Sequence, residues 1–307
     1  MPTLTFLKRA GYDPAMHRRS LLAGLIATSG LGLPGCTPQT LVVDGPDAPT
    51  LVVHGAAPRL ALVLAAGGPR GFAHVGVLRA LEELGIRPDL IVGASIGALI
   101  GSALAAGLSI AHIEALAFEF DFYRLARWSP SQGFQLDGSG IGNLVHHTLG
   151  VRRFAQLRVP LAVVATDALR NAPATFNHGE IGPAVQASCA IPRWFAPVRI
   201  CGREFIDADV SSPLPVKVAR EFGAERVLAV DVAVHLDKPR PAGAERYLET
   251  DHSKRAQIDA EAKLADLVLH PYFGYWVNLS REFREVAARA AYDHTMQQAG
   301  RLRSMFA

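Results

Sequence analysis

Little in this chain marks a specialised class. Its 307 residues hold three cysteines, too few for a disulfide scaffold. Charged residues make up 19% and apolar residues 50%, which excludes a disordered chain. The one charge-free stretch near the start, residues 20–33 (SLLAGLIATSGLGL), is too short to span a bilayer comfortably. Charge of one sign is also scarce, for the net excess is only +3. All of it sits in residues 1–35, where Lys8, Arg9, Arg18 and Arg19 face the single acid Asp13. The remainder balances 27 basic residues against 27 acidic ones, so nucleic-acid binding has no electrostatic support.

What is there begins with a leader. A positive segment, then an apolar run, fits a signal peptide over 1–35. Leu33-Pro34-Gly35-Cys36 resembles the bacterial lipobox, with Pro34 as a departure. It predicts a diacylated Cys36 and an exported, membrane-anchored envelope lipoprotein facing the periplasm. Arg18-Arg19-Ser20-Leu21-Leu22 partly resembles a twin-arginine export signal. Residues 36–58 are rich in Pro, Thr, Asp and Gly and read as a tether with one short strand. Cys189 and Cys201 are expected as two separate buried thiols.

The body, 59–307, is read as one large domain. Residues 60–66 (LALVLAA), 90–92, 161–165 and 227–232 (VLAVDV) are unalternating apolar runs of strand length. Amphipathic segments separate them: 72–84, 96–106 and a last helix over 280–305, with Phe283, Val286, Ala287, Ala290 and Ala291 as one face. Such strands between helices predict an α/β fold with a mostly parallel central sheet and helices on both faces.

Two glycine-rich junctions carry chemistry. Gly93-Ala94-Ser95-Ile96-Gly97 is a G-x-S-x-G turn between a strand and a helix. A nucleophilic serine on so sharp a turn needs tiny neighbours, which Gly93 and Gly97 provide. Gly67-Gly68-Pro69-Arg70-Gly71 also joins a strand to a helix. It lacks the G-x-G-x-x-G spacing and the Gly-Lys-Ser/Thr of nucleotide loops. It reads instead as an oxyanion hole built from the amides of Gly67, Gly68, Arg70 and Gly71, since Pro69 has no N–H. The Arg70 side chain has two readings, orienting the loop or meeting an anionic head group.

A serine nucleophile needs a base. His235, His252, His270 and His294 qualify by order for a Ser–acid–His triad, but none sits in a turn-rich context. His74 is read as packing. Asp207 is the better candidate, because it follows an apolar pair in Phe205-Ile206-Asp207-Ala208-Asp209, where a strand runs into a loop. No metal-ligand spacing stands out.

These residues together resemble the bacterial patatin-like phospholipases. The likeness spans 59–235 and includes the glycine loop, His74-Val75-Gly76-Val77-Leu78, the serine elbow, residues 187–192 (ASCAIP) and Asp207-Ala208-Asp209. It implies a three-layer patatin-like fold and a Ser–Asp dyad of Ser95 and Asp207 that cleaves fatty-acyl esters of phospholipid without a cofactor. Ala66 departs from the first loop glycine, and Asp209 from the small residue beside the aspartate. A second carboxylate there is expected to raise one pKa.

Residues 118–134 hold six aromatics and read either as a lid or acyl-channel wall, with Tyr123 and Trp128 suited to a membrane interface, or as ordinary core packing. Trp194-Phe195 and residues 272–276 (YFGYW) are further lipid-facing candidates. A His-triad esterase and a non-catalytic lipid-binding lipoprotein are the alternatives.

Overall fold

Strands form where the sequence is continuously apolar, because both faces of those strands are covered. In the computed structural model, which describes residues 41–52, 57–119, 127–128 and 136–305, β2 (Leu60–Leu64), β3 (Leu90–Ala94) and β6 (Leu161–Asp167) are buried along their whole length. β10 (Arg226–Val230) adds four more buried residues. Such double-sided burial is the mark of a parallel sheet under helices. The leader, Cys36 and most of the aromatic stretch, Tyr123 included, lie outside the described residues. Of Trp128, only the backbone is described, paired in a two-stranded ribbon of β4 (Arg127–Trp128) and β5 (Leu136–Asp137).

The main sheet is mixed but mostly parallel, in the order β1-β8-β9-β6-β3-β2-β10-β11, with β7 (Ala172–Phe176) also on β6. β1 (Val42–Val43) is the short strand expected in the tether, and β11 (Leu267–Leu269) closes the other edge. β8 (Val198–Ile200) and β9 (Arg203–Ile206) form a hairpin whose two turn residues, Cys201 and Gly202, both have positive φ. That is the geometry of a two-residue hairpin turn. It places Cys201 in the open, so only Cys189 is a buried thiol, contrary to the expectation for the pair.

The register along β6 decides the site. β7 runs along one edge of β6 from residue 163 to 167. The opposite edge is therefore shared. β3 pairs with residues 161–164 in parallel, and β9 pairs antiparallel with Thr166 and Asp167. The two strands meet end to end, and the residue after each, Ser95 and Asp207, arrives at the same place.

Helices flank the sheet. α1 (Ala73–Glu83), α2 (Ile96–Ala105), α3 (Ile110–Phe118), α4 (Ser139–Leu149) and α5 (Ile181–Ser188) follow the early strands. α6 (Val216–Glu221) and α7 (Leu248–Ala262) pack on each other, and α6 also packs on β10. The last helical stretch is two helices, α8 (Arg281–Gln297) and α9 (Ala299–Ser304). The buried face of α8 is Phe283, Arg284, Ala287, Ala288, Ala291 and Thr295, whereas Val286 is 52% exposed. An arginine takes the inward place because the end of α3 needs donors. Arg284 Nη1 donates to the carbonyls of Ala117 and Phe118 at 3.2 and 3.0 Å, and Nη2 to Leu279 at 2.6 Å. Unpaired helix-end carbonyls are costly when buried.

Candidate active site

Ser95 stands between β3 and α2 with φ 52° and ψ −122°, a backbone conformation that non-glycine residues seldom adopt. The surrounding crowding explains the glycines. A Cβ on Gly97 would lie 2.2 Å from the Leu64 carbonyl oxygen, and one on Gly93 would lie 2.5 Å from the Cα of Ala98. The strained turn points the Ser95 hydroxyl outward at the start of a helix, whose positive end favours a developing anion.

Ser95 Oγ donates a 2.7 Å hydrogen bond to Asp207 Oδ2. Both residues are buried, Ser95 at 5% and Asp207 at 2% exposure. Asp207 is tied on every side. Its N–H donates to the Ala190 carbonyl at 3.0 Å, and its own carbonyl accepts from Thr166 Oγ1 at 2.8 Å. Its Oδ1 accepts from the Asp209 N–H at 2.8 Å, an Asx turn that opens the short helical turn Ala208–Val210. Burial, then the charge of Asp209, pushes the Asp207 carboxyl up to about 7. Its hydrogen bonds and Lys254 pull the other way. Lys254 Nζ on α7 lies 2.5 Å from Asp209 Oδ1, so the neighbouring carboxylate is itself ion-paired.

Ser188, at the end of α5, holds the nucleophile's backbone. Its Oγ accepts from the Ser95 N–H at 2.8 Å and donates to the Val164 carbonyl at 2.5 Å. The residue lay within a stretch legible in sequence, but nothing in its type marked this bridging role. Cys189 follows it beside the dyad. Burial, then Asp207, pushes its thiol well up, so it remains a thiol and no competing nucleophile.

The glycine loop divides. Gly67 and Gly68 line a cavity of ≈ 150 Å³ together with Ser95, Asp207 and Asp209. The Arg70 N–H turns back to the Gly67 carbonyl at 3.1 Å, which engages one of the four amides considered for the oxyanion. Gly71 packs against Ile96, where a Cβ would lie 2.2 Å from its methyl, and does not line that cavity. The Arg70 side chain turns away from the cavity. Its Nε donates to the Val232 carbonyl at 2.6 Å, and Nη1 and Nη2 to the carbonyls of Tyr275 and Gly274 at 2.9 and 3.0 Å. Its guanidinium also lies 4.8 Å from the Phe273 ring centre. Of the two readings for this side chain, the geometry is that of a clamp on the loop.

The histidines sit elsewhere. His74 is fully buried with Nε2 2.9 Å from the Ala65 carbonyl, and burial holds its pKa down to about 4. His235 and His270 stack on each other at 3.6 Å, beside Asp231 and Asp237. Neither these nor His252 and His294 line the cavities that reach Ser95.

A second cavity, ≈ 280 Å³, also opens on Ser95. It is lined by apolar groups that include Pro69, Phe72, Ile141, Trp194 and Phe195. Trp194 is 55% exposed, Ile191 38% and Leu279 37%, so three large apolar side chains of this lining reach the surface. Ser95 thus lies on both cavities, the smaller bordered by the Asp207 and Asp209 carboxyls together with Ile191, Pro192 and Val210, the larger almost wholly by apolar groups.

The family model described as patatin-like phospholipase matches residues 62–220, which takes in the glycine loop, the elbow and Asp207. An uncharacterized NTE family protein of Mycobacterium tuberculosis is 35% identical over 190 residues, covering 61% of this chain and 53% of that one. The human patatin-like phospholipase domain-containing protein 6 is 31% identical over 183 residues, covering 56% of this chain and 13% of that one. The chain therefore spans about half the length of the first relative and a small part of the second. Crystal-structure coordinates of VipD from Legionella pneumophila superpose with a TM-score of 0.56 at 16% identity, covering 90% of this chain and 72% of that one. That likeness concerns the fold alone. With its family match spanning sheet, elbow and aspartate alike, this chain belongs to the patatin-like phospholipase family.

Proposed function

We propose that the protein is a serine acyl hydrolase that cleaves fatty-acyl ester bonds of membrane phospholipids through a Ser95–Asp207 dyad. The observation that carries this reading is the 2.7 Å hydrogen bond from Ser95 Oγ to Asp207 Oδ2 at the mouth of an apolar cavity. The acyl chain lies in that cavity, and the ester carbonyl meets Ser95. As Oγ attacks the carbonyl carbon, its proton passes to the Asp207 carboxylate. The tetrahedral oxyanion is held by amides of the glycine loop, with Gly67 and Gly68 best placed; each such donor contributes about 2.7–4 kcal/mol. Collapse expels the alcohol, which takes the proton from Asp207. Water then attacks the acyl-serine with Asp207 again as base, and as the acyl–serine bond breaks Asp207 returns the proton to Ser95 Oγ and the fatty acid leaves.

The raised Asp207 pKa supports this role, for a base titrating near 7 both accepts and returns a proton at neutral pH. A lipid tether on Cys36 completes the reading. It places the enzyme at an envelope membrane that a charge-balanced body would not attract by itself.

The test is to incubate the purified protein and its Ser95→Ala variant with a total lipid extract and compare the fatty acids released. Release by the first and not the second is expected, together with Ser95-dependent labelling by a fluorophosphonate. Equal release by both would overturn the proposal. For the tether, Cys36→Ala is expected to move the protein from the membrane to the soluble fraction, and an unchanged distribution would exclude the anchor.

A further inference from the structure

A third cavity lies beyond the apolar one that opens on Ser95. It measures ≈ 300 Å³ and sits between α2, α3 and α4. This third cavity is mainly apolar, with Ser102, Glu119 and Thr148 also in its lining, and it shares one wall, formed by Phe72, Ile96 and Leu99, with the apolar cavity at Ser95. From residue 96 to 103 every residue of α2 is buried except Ile96 and Leu99, which are half-buried because they face the hollow on both sides. Farther along the same helix, Ala103 lines only the third cavity. α4 runs beside it, giving Ile141 to the apolar cavity at Ser95 and Val145 and Thr148 to the third cavity. The hollows therefore follow one another along roughly 12 Å of α2, measured from Ser95 to Ala103.

We propose that the cavity behind Phe72, Ile96 and Leu99 is a second acyl subsite, which receives the distal part of a long fatty-acyl chain and makes the protein selective for long chains. This rests on the acyl-hydrolase reading above. The apolar cavity at Ser95 takes the carbons next to the ester, and the chain passes the shared wall into the third cavity. Phe72 is the fixed part of that wall, because the Arg284 guanidinium lies 4.9 Å from its ring centre. Ile96 is held by its packing against Gly71 and by its β-branch, so the half-buried Leu99 is the part that changes rotamer to let the chain pass.

The experiment fills the third cavity from two sides, with Ala103→Phe on α2 and Thr148→Phe on α4, and compares kcat/KM for palmitoyl and butyryl esters of p-nitrophenol. The palmitoyl-to-butyryl ratio is expected to fall by roughly tenfold or more in each variant. A ratio unchanged in a variant whose thermal melting shows it folded would overturn the subsite, and either variant alone suffices if the other fails to fold. A protein that turns over neither ester would instead count against the acyl-hydrolase reading. In that event cis-parinaric acid, titrated into Ser95→Ala and into Ser95→Ala with Thr148→Phe, still decides. Weaker binding by the filled form supports the subsite, and equal binding overturns it.

Discussion

Ser95 and Asp207, 112 residues apart in sequence, share a 2.7 Å hydrogen bond because their strands end against neighbouring stretches of one edge of β6. The same burial that brings them together pushes the Asp207 carboxyl up to about 7. Site geometry and site chemistry thus have one cause.

Replacing Asp207 by Asn keeps the shape of the dyad and removes its base. Turnover of a fluorogenic acyl ester is expected to drop by about 10²–10⁴-fold, with KM little changed. Steady-state kinetics on the folded variant measures it, and wild-type kcat would exclude Asp207 as the base.

The raised Asp207 pKa has two pH signatures. A base works when deprotonated, so kcat/KM is expected to rise with pH through about 7. Stability runs the other way. The unfolded carboxyl loses its proton near the ordinary value of about 4, while the folded one keeps it to about 7. The folded state therefore binds more protons in that window, and its stability falls by a few kcal/mol as pH rises through it, then levels off. Melting at pH ~5 and ~8 is expected to show a larger loss for wild type than for Asp207→Asn.

Asp209 and Lys254 tune the base in opposite directions. Asp209→Asn removes a like charge and is expected to move the acid limb of the pH–rate profile down. Lys254→Met leaves Asp209 without its ion-pair partner and is expected to move the limb up. Shifts of the same sign in both variants would contradict this electrostatic account.

Arg70 clamps the glycine loop through three backbone carbonyls. Arg70→Ala leaves those carbonyls without a donor, and hydrogen bonds from charged groups contribute about 1.5–3 kcal/mol each. A lower melting temperature and a fall in kcat greater than the change in KM are expected, because a loosened loop no longer holds its amides ready for the oxyanion. Calorimetry and kinetics on the same preparation check both.

Much of the scaffold was legible because burial on both faces leaves a plain trace. Residues 60–66, 90–92 and 161–165 stand out as apolar runs, and the buried strands Leu60–Leu64, Leu90–Ala94 and Leu161–Asp167 contain or overlap them. The elbow was legible for a steric reason, since only glycine fits beside Ser95 at residues 93 and 97. Amphipathic periodicity was a weaker guide. On α8 it placed Val286 inside and missed Arg284, because periodicity sees hydrophobicity and not the carbonyls at the end of α3 that require a donor. The expected quartet of loop amides likewise could not reveal that the Arg70 N–H closes a turn onto Gly67.

From its order of residues alone, this protein acquires its buried strands, its strained serine turn and an aspartate at a strand's end, because each is a local demand on side-chain size or polarity. Which groups meet is decided only by the tertiary structure. The register along β6 joins Ser95 to Asp207, α5 brings Ser188 beneath the nucleophile, and α2, α3 and α4 leave a hollow behind Leu99. Those relations depend on distances between segments far apart in the chain, and no local pattern of residues encodes a distance.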